Sequence, residues 1–406
     1  MSLLALSSYR THAIGPSRSR LRLTTLALAR HSSTSAITRI PPAANPHVAT
    51  PQSAYRPPTA PIQPRKADGF VPAVQRYSAV LPAELVVGTF GVQALGAEHL
   101  DGAFLQWART ALAPSSGASD GPSPSNPGPA PSDAPCTSDH GRYTDSAGYV
   151  HHVVVAYWRD PAAYARWATA HEAWWAAATS RDEGVYREVV RVPSDRAETI
   201  FWPDYPGGLM RDPRTALYPT PYCGYYGAMR DRLPAAGYNV LEGATVRRQV
   251  RSDTRGRWRV SLPPNVAVIR SAHTWQFMDE EQLADYGRKL KPPLERGMDF
   301  LASTPESGCI NLRWLTVTDE VGAERPEAHA TAYFTSLAEM EAWAERHRTH
   351  AAIFGAAIAR YKNYGGSNQL RTWHEVFVLP EGQTFEYINC HPETGLLPFF
   401  DTEQVR

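Results

Sequence analysis

An internal repeat constrains the fold of this 406-residue chain more than any other feature. Residues 156–171 read Ala-Tyr-Trp-Arg-Asp-Pro-Ala-Ala-Tyr-Ala-Arg-Trp-Ala-Thr-Ala-His, and residues 332–347 read Ala-Tyr-Phe-Thr-Ser-Leu-Ala-Glu-Met-Glu-Ala-Trp-Ala-Glu-Arg-His. Each segment joins the end of a strand-like run to the start of a helix at the same offset. Asp160 before a proline is typical of a helix N-cap, and Ser336 followed three residues later by a glutamate forms a capping box.

The repeat continues into a returning strand. Residues 186–193 (Tyr-Arg-Glu-Val-Val-Arg-Val-Pro) match residues 373–380 (Trp-His-Glu-Val-Phe-Val-Leu-Pro). This order predicts an α+β fold of two tandem ferredoxin-like units, each with helices on one face of its sheet. We expect residues 68–215 to form the first unit and residues 216–406 the second, and the two to pack sheet on sheet into an α+β barrel.

The charged residues are distributed unevenly along the chain. It has 41 basic and 40 acidic side chains, but residues 1–67 hold nine basic and no acidic ones, so the remainder carries a net charge of −8. A mildly acidic body argues against a nucleic-acid partner. Residues 1–40 are typical of a mitochondrial transit peptide, with a disordered basic tail and a cytoplasmic location as the alternative, and residues 41–67 are typical of a Pro-rich linker.

Several classes of protein are disfavoured by what the sequence lacks. No run approaches the 18 or so apolar residues of a membrane helix. The four cysteines form no CxxC or CxxCH, which excludes a disulfide framework, a thiolate metal site and covalently attached haem. A GxSxG elbow, a P-loop, a GxGxxG after a strand, an HExxH and an EF-hand are also missing. Residues 114–133, rich in Pro, Ser and Gly, predict a disordered loop within the first unit.

The two repeats differ at two histidines. Trp174 stands where the second repeat has His350, and Arg187 stands where it has His374. A duplicated scaffold often needs its chemistry only once, so the functional site is expected in the second unit.

His350 begins a helical stripe. Thr349 is the expected cap of this helix. One face of the helix then carries His350, Ile353, Phe354, Ala357 and Tyr361. A histidine at the head of an apolar stripe suits an axial ligand of a flat apolar cofactor; a hydrogen-bonded core histidine is the alternative. Zinc is disfavoured because the HxxH of His347 and His350 supplies two ligands at best.

His374 lies in a predicted strand. Alternation places Thr372 and His374 on one face and Glu375 and Phe377 on the other. An imidazole on the inner face of a sheet can act as a general acid, because it titrates near neutral pH; a buried histidine with a backbone partner is the alternative.

Two further motifs have a structural interpretation by default. The alternating charges of residues 229–232 (Met-Arg-Asp-Arg) usually form solvated salt bridges at a surface. Ser271 closes a strand-like run, where most serines only cap a turn.

Taken together, these segments resemble the haem-containing aldoxime dehydratases. The matching stretches are Tyr225-Tyr-Gly-Ala-Met-Arg-Asp-Arg, Asn265-Val-Ala-Val-Ile-Arg-Ser, Gly297-Met-Asp-Phe-Leu, residues 341–354, Leu370-Arg-Thr-Trp-His-Glu-Val and Phe385-Glu-Tyr-Ile-Asn-Cys-His-Pro-Glu-Thr-Gly. The resemblance covers about residues 70–400, without residues 1–60, and the loop at 114–133 is an insertion relative to it. It implies haem b in the second unit, ferrous in the active form, a homodimer, and the dehydration of an aldoxime, R–CH=N–OH, to a nitrile.

The resemblance also implies roles for five residues. His350 would be the proximal haem ligand and His374 the distal acid and base. Arg232 and Ser271 would hold the substrate hydroxyl in the distal pocket, and Glu198 would support His374 and raise its pKa. Another haem enzyme of the same barrel type, such as a peroxidase-like protein, and a non-catalytic haem carrier or sensor are the alternatives.

Overall fold

The first repeat folds as strand–helix–strand–strand–helix–strand. A computed structural model describes residue 65 and residues 69–72, 74–100, 102–114 and 133–405; the predicted transit peptide and almost all of the predicted loop at 114–133 lie outside these residues. The elements of this part are β1 (Arg76–Ala79), β2 (Glu84–Leu95), α1 (Ala103–Ala111), β3 (Thr137–Thr144), β4 (Tyr149–Trp158), α2 (Pro161–Ala177) and β5 (Gly184–Pro193).

The second repeat folds in the same order after a linking region. The linking elements are β6 (Ala197–Ile200), β7 (Leu217–Thr220), α3 (Ala228–Asp231) and β8 (Arg257–Ser261). The repeat itself comprises β9 (Ala267–Thr274), α4 (Glu280–Asp285), α5 (Lys291–Ser303), β10 (Cys309–Thr318), β11 (Glu324–Phe334), α6 (Leu337–Arg346), α7 (Arg348–Tyr364) and β12 (Arg371–Val378), and β13 (Thr384–Ile388) and β14 (Thr402–Val405) follow it.

The strands of both repeats form one antiparallel row. Its order is β14-β8-β13-β5-β2-β4-β3-β10-β11-β9-β12-β6, and β1 pairs separately with β7. Within each repeat the strands stand in the order fourth, first, third, second, which is the order expected of a ferredoxin-like unit. A short pairing of β3 with β10, from Thr316 opposite Arg142 to Thr318 opposite His140, joins the two repeats. The α+β prediction is confirmed, and the row of described strands ends at β14 and β6.

One face of each repeat packs against the other repeat. A shared apolar cluster contains Val155 and Val190 from the first repeat and Val268 and Phe377 from the second. Charges buried between the sheets are paired, as desolvation requires. Glu188 accepts hydrogen bonds across this boundary from Arg313 and from the Tyr333 hydroxyl, and it also accepts one from Tyr387 on the neighbouring strand β13.

The opposite face of the first repeat is filled with aromatic side chains. The rings packed between its sheet and α1 and α2 are Phe90, Phe104, Trp107, Trp158, Trp167, Trp174 and Trp175. Trp107 stacks on Trp174 with ring centroids 4.4 Å apart, and the Trp167 indole donates to the Ala111 carbonyl at 2.7 Å. These contacts hold α1 and α2 against the sheet.

The corresponding face of the second repeat is covered by α5, α6 and α7. A Cβ added to Gly297 of α5 would lie 2.5 Å from the end of the Ile353 side chain of α7, so Ile353 packs directly on the glycine and would have to shift for a larger residue. Below this contact a cavity remains between helices and sheet.

All four cysteines are free and buried. Among the described residues, no helix is long and apolar enough to cross a bilayer.

Candidate active site

A cavity of about 640 Å³ lies between the second repeat's sheet and its helices. This volume falls in the range of small-molecule and cofactor sites. The residues of the predicted α7 stripe all line it: His350, Ile353, Phe354, Ala357 and Tyr361. Alanines at 328, 330 and 332 on β11 form part of the opposite wall. The small side chains on the sheet and the apolar stripe on the helix together leave a broad apolar space.

The start of α7 differs from the expectation in one detail. The N-cap is His347, whose side chain accepts from the backbone NH of Thr349, so the prediction of Thr349 as the cap is wrong. The His347 ring stacks on Phe300 with centroids 4.0 Å apart, which holds the imidazole in its capping position. His347 therefore serves the helix, and His350, one turn later, is left for the cavity.

His350 projects from the first turn of α7 into the cavity wall. The Trp343 ring meets it edge-on with centroids 4.7 Å apart. Its buried Nδ1 has no hydrogen-bond partner among the described residues. Burial lowers the pKa of His350 against a smaller opposing effect of the Ala344 backbone, so the imidazole is neutral at physiological pH, the form that binds metals.

These residues fit haem better than a bare metal ion. No group of three or more His, Cys, Asp or Glu that could hold a metal occurs in the part of the chain that the structure describes. A single neutral histidine in an apolar wall suits the iron of a flat macrocycle, which brings four nitrogen ligands of its own. The neutral imidazole of His350, which lines the cavity, and the apolar stripe after it would hold such a group.

The sheet wall opposite His350 is polar at one place. Ser271 on β9 and His374 on β12 are directly paired across the two strands, and both line the cavity. Thr372 and His273 form the next pair on the same face. Strand alternation thus predicted the face of His374 and Thr372, and Glu375 and Phe377 face the other repeat.

Arg232, Glu198 and His374 form a hydrogen-bonded cluster. Arg232 Nε donates to Glu198 Oε2 at 2.6 Å and its Nη2 to Oε1 at 3.1 Å. His374 Nε2 lies 3.0 Å from both Glu198 Oε1 and Arg232 Nη2. Glu198 reaches this place because β6 pairs with β12, with Glu198 opposite Val376. The Tyr222 carbonyl accepts from Arg232 Nη1 and fixes the guanidinium from the other side.

The cluster sets the protonation of its members. Burial alone would raise the pKa of Glu198, but the charges of Arg232 and His374 outweigh it, and the net pKa is lowered, so the carboxylate is ionised. Burial lowers the pKa of His374. Glu198 acts to raise it, but Arg232 and Arg76 add to the lowering. Glu198 thus acts in the expected direction, but the net pKa of His374 is lowered because desolvation and two cations prevail.

The charged run at residues 229–232 is not a solvated surface. Arg230 makes a two-point ion pair with Glu341 of α6 at 2.6 and 2.9 Å, and Asp231 accepts from the Tyr225 hydroxyl. The Arg232 side chain is only 5% exposed. The surface interpretation is wrong for Arg232 because Glu198, which the sequence places 34 residues earlier, supplies a buried counter-charge.

Two cavity residues had no assigned role in the sequence. Arg76 of β1 lines the cavity beside Thr372. His273 also lines it, with its Nε2 2.8 Å from the Tyr286 hydroxyl, and burial lowers its pKa to about 4. Alternation with Ser271 could have placed His273 on this face. Nothing in the pattern around Arg76 marked it, because β1 meets β12 only in the folded chain.

Comparison with known proteins agrees with this geometry. The family model of the haem-containing dehydratases matches residues 90–396. An aliphatic aldoxime dehydratase of Pseudomonas chlororaphis is 34% identical over 276 residues, which cover 65% of this chain and 77% of that enzyme. A phenylacetaldoxime dehydratase of Bacillus sp. (strain OxB-1) is 29% identical over 281 residues, covering 66% of this chain and 79% of that enzyme.

Solved structures show the same likeness. A crystal structure of an aldoxime dehydratase superposes with a TM-score of 0.70 at 29% identity, covering 84% of this chain and 95% of that one. A second aldoxime dehydratase, crystallised in complex with butyraldoxime, gives a TM-score of 0.72 at 29% identity over 84% of this chain and 93% of that one.

The comparisons overturn the mitochondrial prediction made from residues 1–40. The relatives named above are enzymes of Pseudomonas and Bacillus, bacteria without mitochondria, and nothing in the comparisons indicates that organelle. The basic segment that suggested it lies outside the described residues.

The match over residues 90–396 spans most of the chain, and it includes four residues brought together at the cavity, His350, His374, Arg232 and Glu198. The chain belongs to the haem-containing dehydratase family.

Proposed function

We propose that the protein dehydrates aldoximes to nitriles, R–CH=N–OH giving R–CN and water, with haem b held in the second repeat by His350 and ferrous in the active form. One observation carries this proposal: a single cavity has a neutral histidine on its helix wall and, on the facing sheet, the cluster of His374, Arg232 and Glu198 beside Ser271. The similarity to an aliphatic aldoxime dehydratase and to a phenylacetaldoxime dehydratase supports the reaction class.

We also propose that the two repeats form the α+β barrel, by packing sheet on sheet. The apolar cluster shared by the repeats supports this arrangement, and so do the buried contacts of Glu188 with Arg313 and of Asp139 with Arg270. In this arrangement the cavity lies outside the barrel, between its wall and α5–α7. The homodimer implied by the resemblance stays a prediction.

The reaction needs a proton delivered to oxygen and another removed from carbon, because hydroxide is a poor leaving group. Haem would supply an iron that binds the aldoxime nitrogen and donates electron density toward the N–O bond. The protein's part is to hold the hydroxyl, move the protons and keep bulk water out. The apolar α7 stripe serves the last task, because a dry site strengthens every charged contact within it.

His374 is the residue that moves the protons. As an imidazolium it donates a proton to the departing hydroxyl oxygen, which leaves as water. As a neutral imidazole it then accepts the proton lost from the aldoxime carbon, so the imidazolium is restored and the protons balance. The lowered pKa of His374 makes its imidazolium a stronger acid, and the adjacent ionised Glu198 stabilises that charged form.

Arg232 and Ser271 hold the hydroxyl during this transfer. Both line the cavity next to His374, Ser271 directly across the strand pair and Arg232 at 3.0 Å. A charged donor binds a developing negative oxygen more strongly than a neutral one, so Arg232 contributes more than Ser271. Glu198 keeps Arg232 in place through two hydrogen bonds.

The test uses the purified holoprotein, reduced under anaerobic conditions. Addition of butyraldoxime or phenylacetaldoxime is expected to shift the haem absorption spectrum and to yield the corresponding nitrile. Bound haem without nitrile from either substrate would favour a carrier or sensor. Peroxide turnover exceeding aldoxime dehydration would favour a peroxidase-like enzyme. A stable protein that takes up no haem would refute all three.

A further inference from the structure

Arg76 enters the cavity wall from β1, outside the matched family region that begins at residue 90. Its Nη2 donates to the Thr372 carbonyl at 2.6 Å, and its Nε donates to the Phe201 carbonyl at 3.2 Å. The guanidinium carbon lies 4.8 Å from the centre of the Trp202 ring. These contacts fix the guanidinium two residues along β12 from His374.

The contacts of Arg76 within the described residues are all to uncharged groups. They are two carbonyls, the Thr372 hydroxyl and an indole ring, and no Asp or Glu of the described chain forms an ion pair with it. Burial, with smaller contributions from the cations Arg232 and Arg371, lowers the pKa of Arg76 to about 10. The half-buried guanidinium is thus still charged at neutral pH, although a charge partly withdrawn from water is normally paired.

Neighbouring arginines show what is missing at Arg76. Arg232 has Glu198 as its counter-charge. Arg371 lies 5.0 Å from the same Trp202 ring, yet it donates three hydrogen bonds to Asp204. Arg76 has the same kind of aromatic support and faces the cavity without a carboxylate. A carboxylate is therefore expected to come from the molecule in the cavity.

We propose that Arg76 binds a carboxylate of the cavity's occupant, and that this carboxylate is a propionate of haem. This inference rests on the haem site proposed above. Haem carries two propionates and is otherwise apolar, which matches a mostly apolar cavity with an unpaired cation in its wall. A carboxylate on an acidic aldoxime has the same chemistry and is the other source that the experiment must separate.

The experiment compares haem with haem dimethyl ester, in which both propionates are neutral. Apoprotein is titrated with each porphyrin, and release is followed by transfer to an excess of apomyoglobin. The variants are Arg76→Gln and Arg76→Lys, with Arg371→Gln as the matched control, because Arg371 contacts the same tryptophan but already has Asp204. Thermal unfolding of each apoprotein verifies that the variants fold.

The wild type is expected to prefer haem over its dimethyl ester by about tenfold or more, since a charge-assisted contact is lost in the ester. Arg76→Gln should abolish this preference, Arg76→Lys should retain part of it, and Arg371→Gln should leave it unchanged. Loss of the Arg76 charge would leave a propionate less well neutralised, and this added negative charge near the iron should lower the midpoint potential of the haem. The preference for haem over its ester is the deciding measurement.

Three outcomes would overturn the proposal. Equal losses for both porphyrins in Arg76→Gln would show that Arg76 only holds β12 in place. An unchanged preference, together with a raised KM for 4-carboxybenzaldoxime but not for its methyl ester, would assign the carboxylate to the substrate instead of haem. An unchanged preference and an unchanged KM would leave Arg76 with no carboxylate to bind. If the wild type binds neither porphyrin, the proposed haem site itself fails.

Discussion

The two repeats share one order of strands and helices but use the space between helices and sheet in opposite ways. The first repeat fills it with tryptophans, and the second leaves a cavity of about 640 Å³. Trp174, at the position of His350, stacks on Trp107. Arg187, at the position of His374, is bound to Glu386 and Glu172 at 2.5 and 2.8 Å.

This difference shows how a duplicated scaffold can divide stability and chemistry. Large buried rings contribute several kcal/mol each to the free energy of unfolding. A repeat that has a cavity in their place lacks this contribution. A group that binds only the folded protein restores stability by mass action, so the hollow repeat depends on its occupant in a way that the filled repeat does not.

The largest expected effect is the loss of haem in His350→Ala. His350 is the only histidine that the described helices contribute to the cavity wall. Its removal should weaken haem binding by more than the roughly 10–100-fold that loss of a supporting residue costs, and activity should vanish with it. His347→Ala is the matched control: it removes the cap of α7, costs about 1 kcal/mol, and should retain haem. The haem spectrum of both variants decides; normal haem content in His350→Ala would disprove the assignment.

The next largest effect is expected from His374→Ala. The variant should keep its haem, because His374 lies on the opposite wall, while nitrile formation falls by about 10²–10⁴-fold for want of a proton donor. Thr372→Val, on the same face of β12, should change the rate far less. Turnover and haem content are measured on the same preparations. Full turnover in His374→Ala would contradict the assignment of His374 as the acid and base.

A substitution in the filled repeat should affect stability without affecting haem. Trp175 is fully buried, so Trp175→Ala should lower the free energy of unfolding by about 3–5 kcal/mol. Trp174→Ala, at a half-buried ring, should cost less. Urea unfolding measures both, and haem affinity at a temperature where the variants are folded should equal that of the wild type. A large drop in haem affinity would show that the two repeats are coupled.

The smallest effect is expected at Glu375, which occupies the position in the second repeat that Glu188 occupies in the first. Glu188 has Arg313 as its own partner, whereas Glu375 shares Arg270 with Asp139, and burial raises the pKa of Glu375 to about 7. A raised pKa adds stability that is complete below about pH 4.5, the ordinary value for a glutamate, and is lost as the pH rises through about 7.

The free energy of unfolding of the wild type, measured relative to that of Glu375→Gln, should therefore fall by on the order of 2 kcal/mol between pH 5 and pH 8. Urea unfolding of both proteins at the two pH values measures this. Glu188→Gln, the corresponding change in the first repeat, breaks the pair with Arg313 and should be destabilising at both pH values. A constant difference between wild type and Glu375→Gln would contradict the raised pKa.

Local patterns predicted the parts of the structure that depend on neighbours in sequence. The repeat gave the order of elements, the helical stripe gave the wall residues of α7, and alternation gave the face of His374. What they missed depends on long-range packing. The burial of Arg232 requires β6 to pair with β12, the net pKa of His374 depends on desolvation and on Arg76, and the cap at His347 depends on its stacking on Phe300.

The strands added to the edge of the first repeat have a consequence for the order in which the protein can fold. β5 is covered by β13, and the Arg187–Glu386 bond in this pair joins residues 199 positions apart. During synthesis the first repeat must therefore wait, with the outer edge of β5 unpaired, until the whole second repeat has been made. Such distant pairing slows folding and leaves an exposed strand edge in the nascent chain, so chaperones that shield edges should raise the yield of this protein.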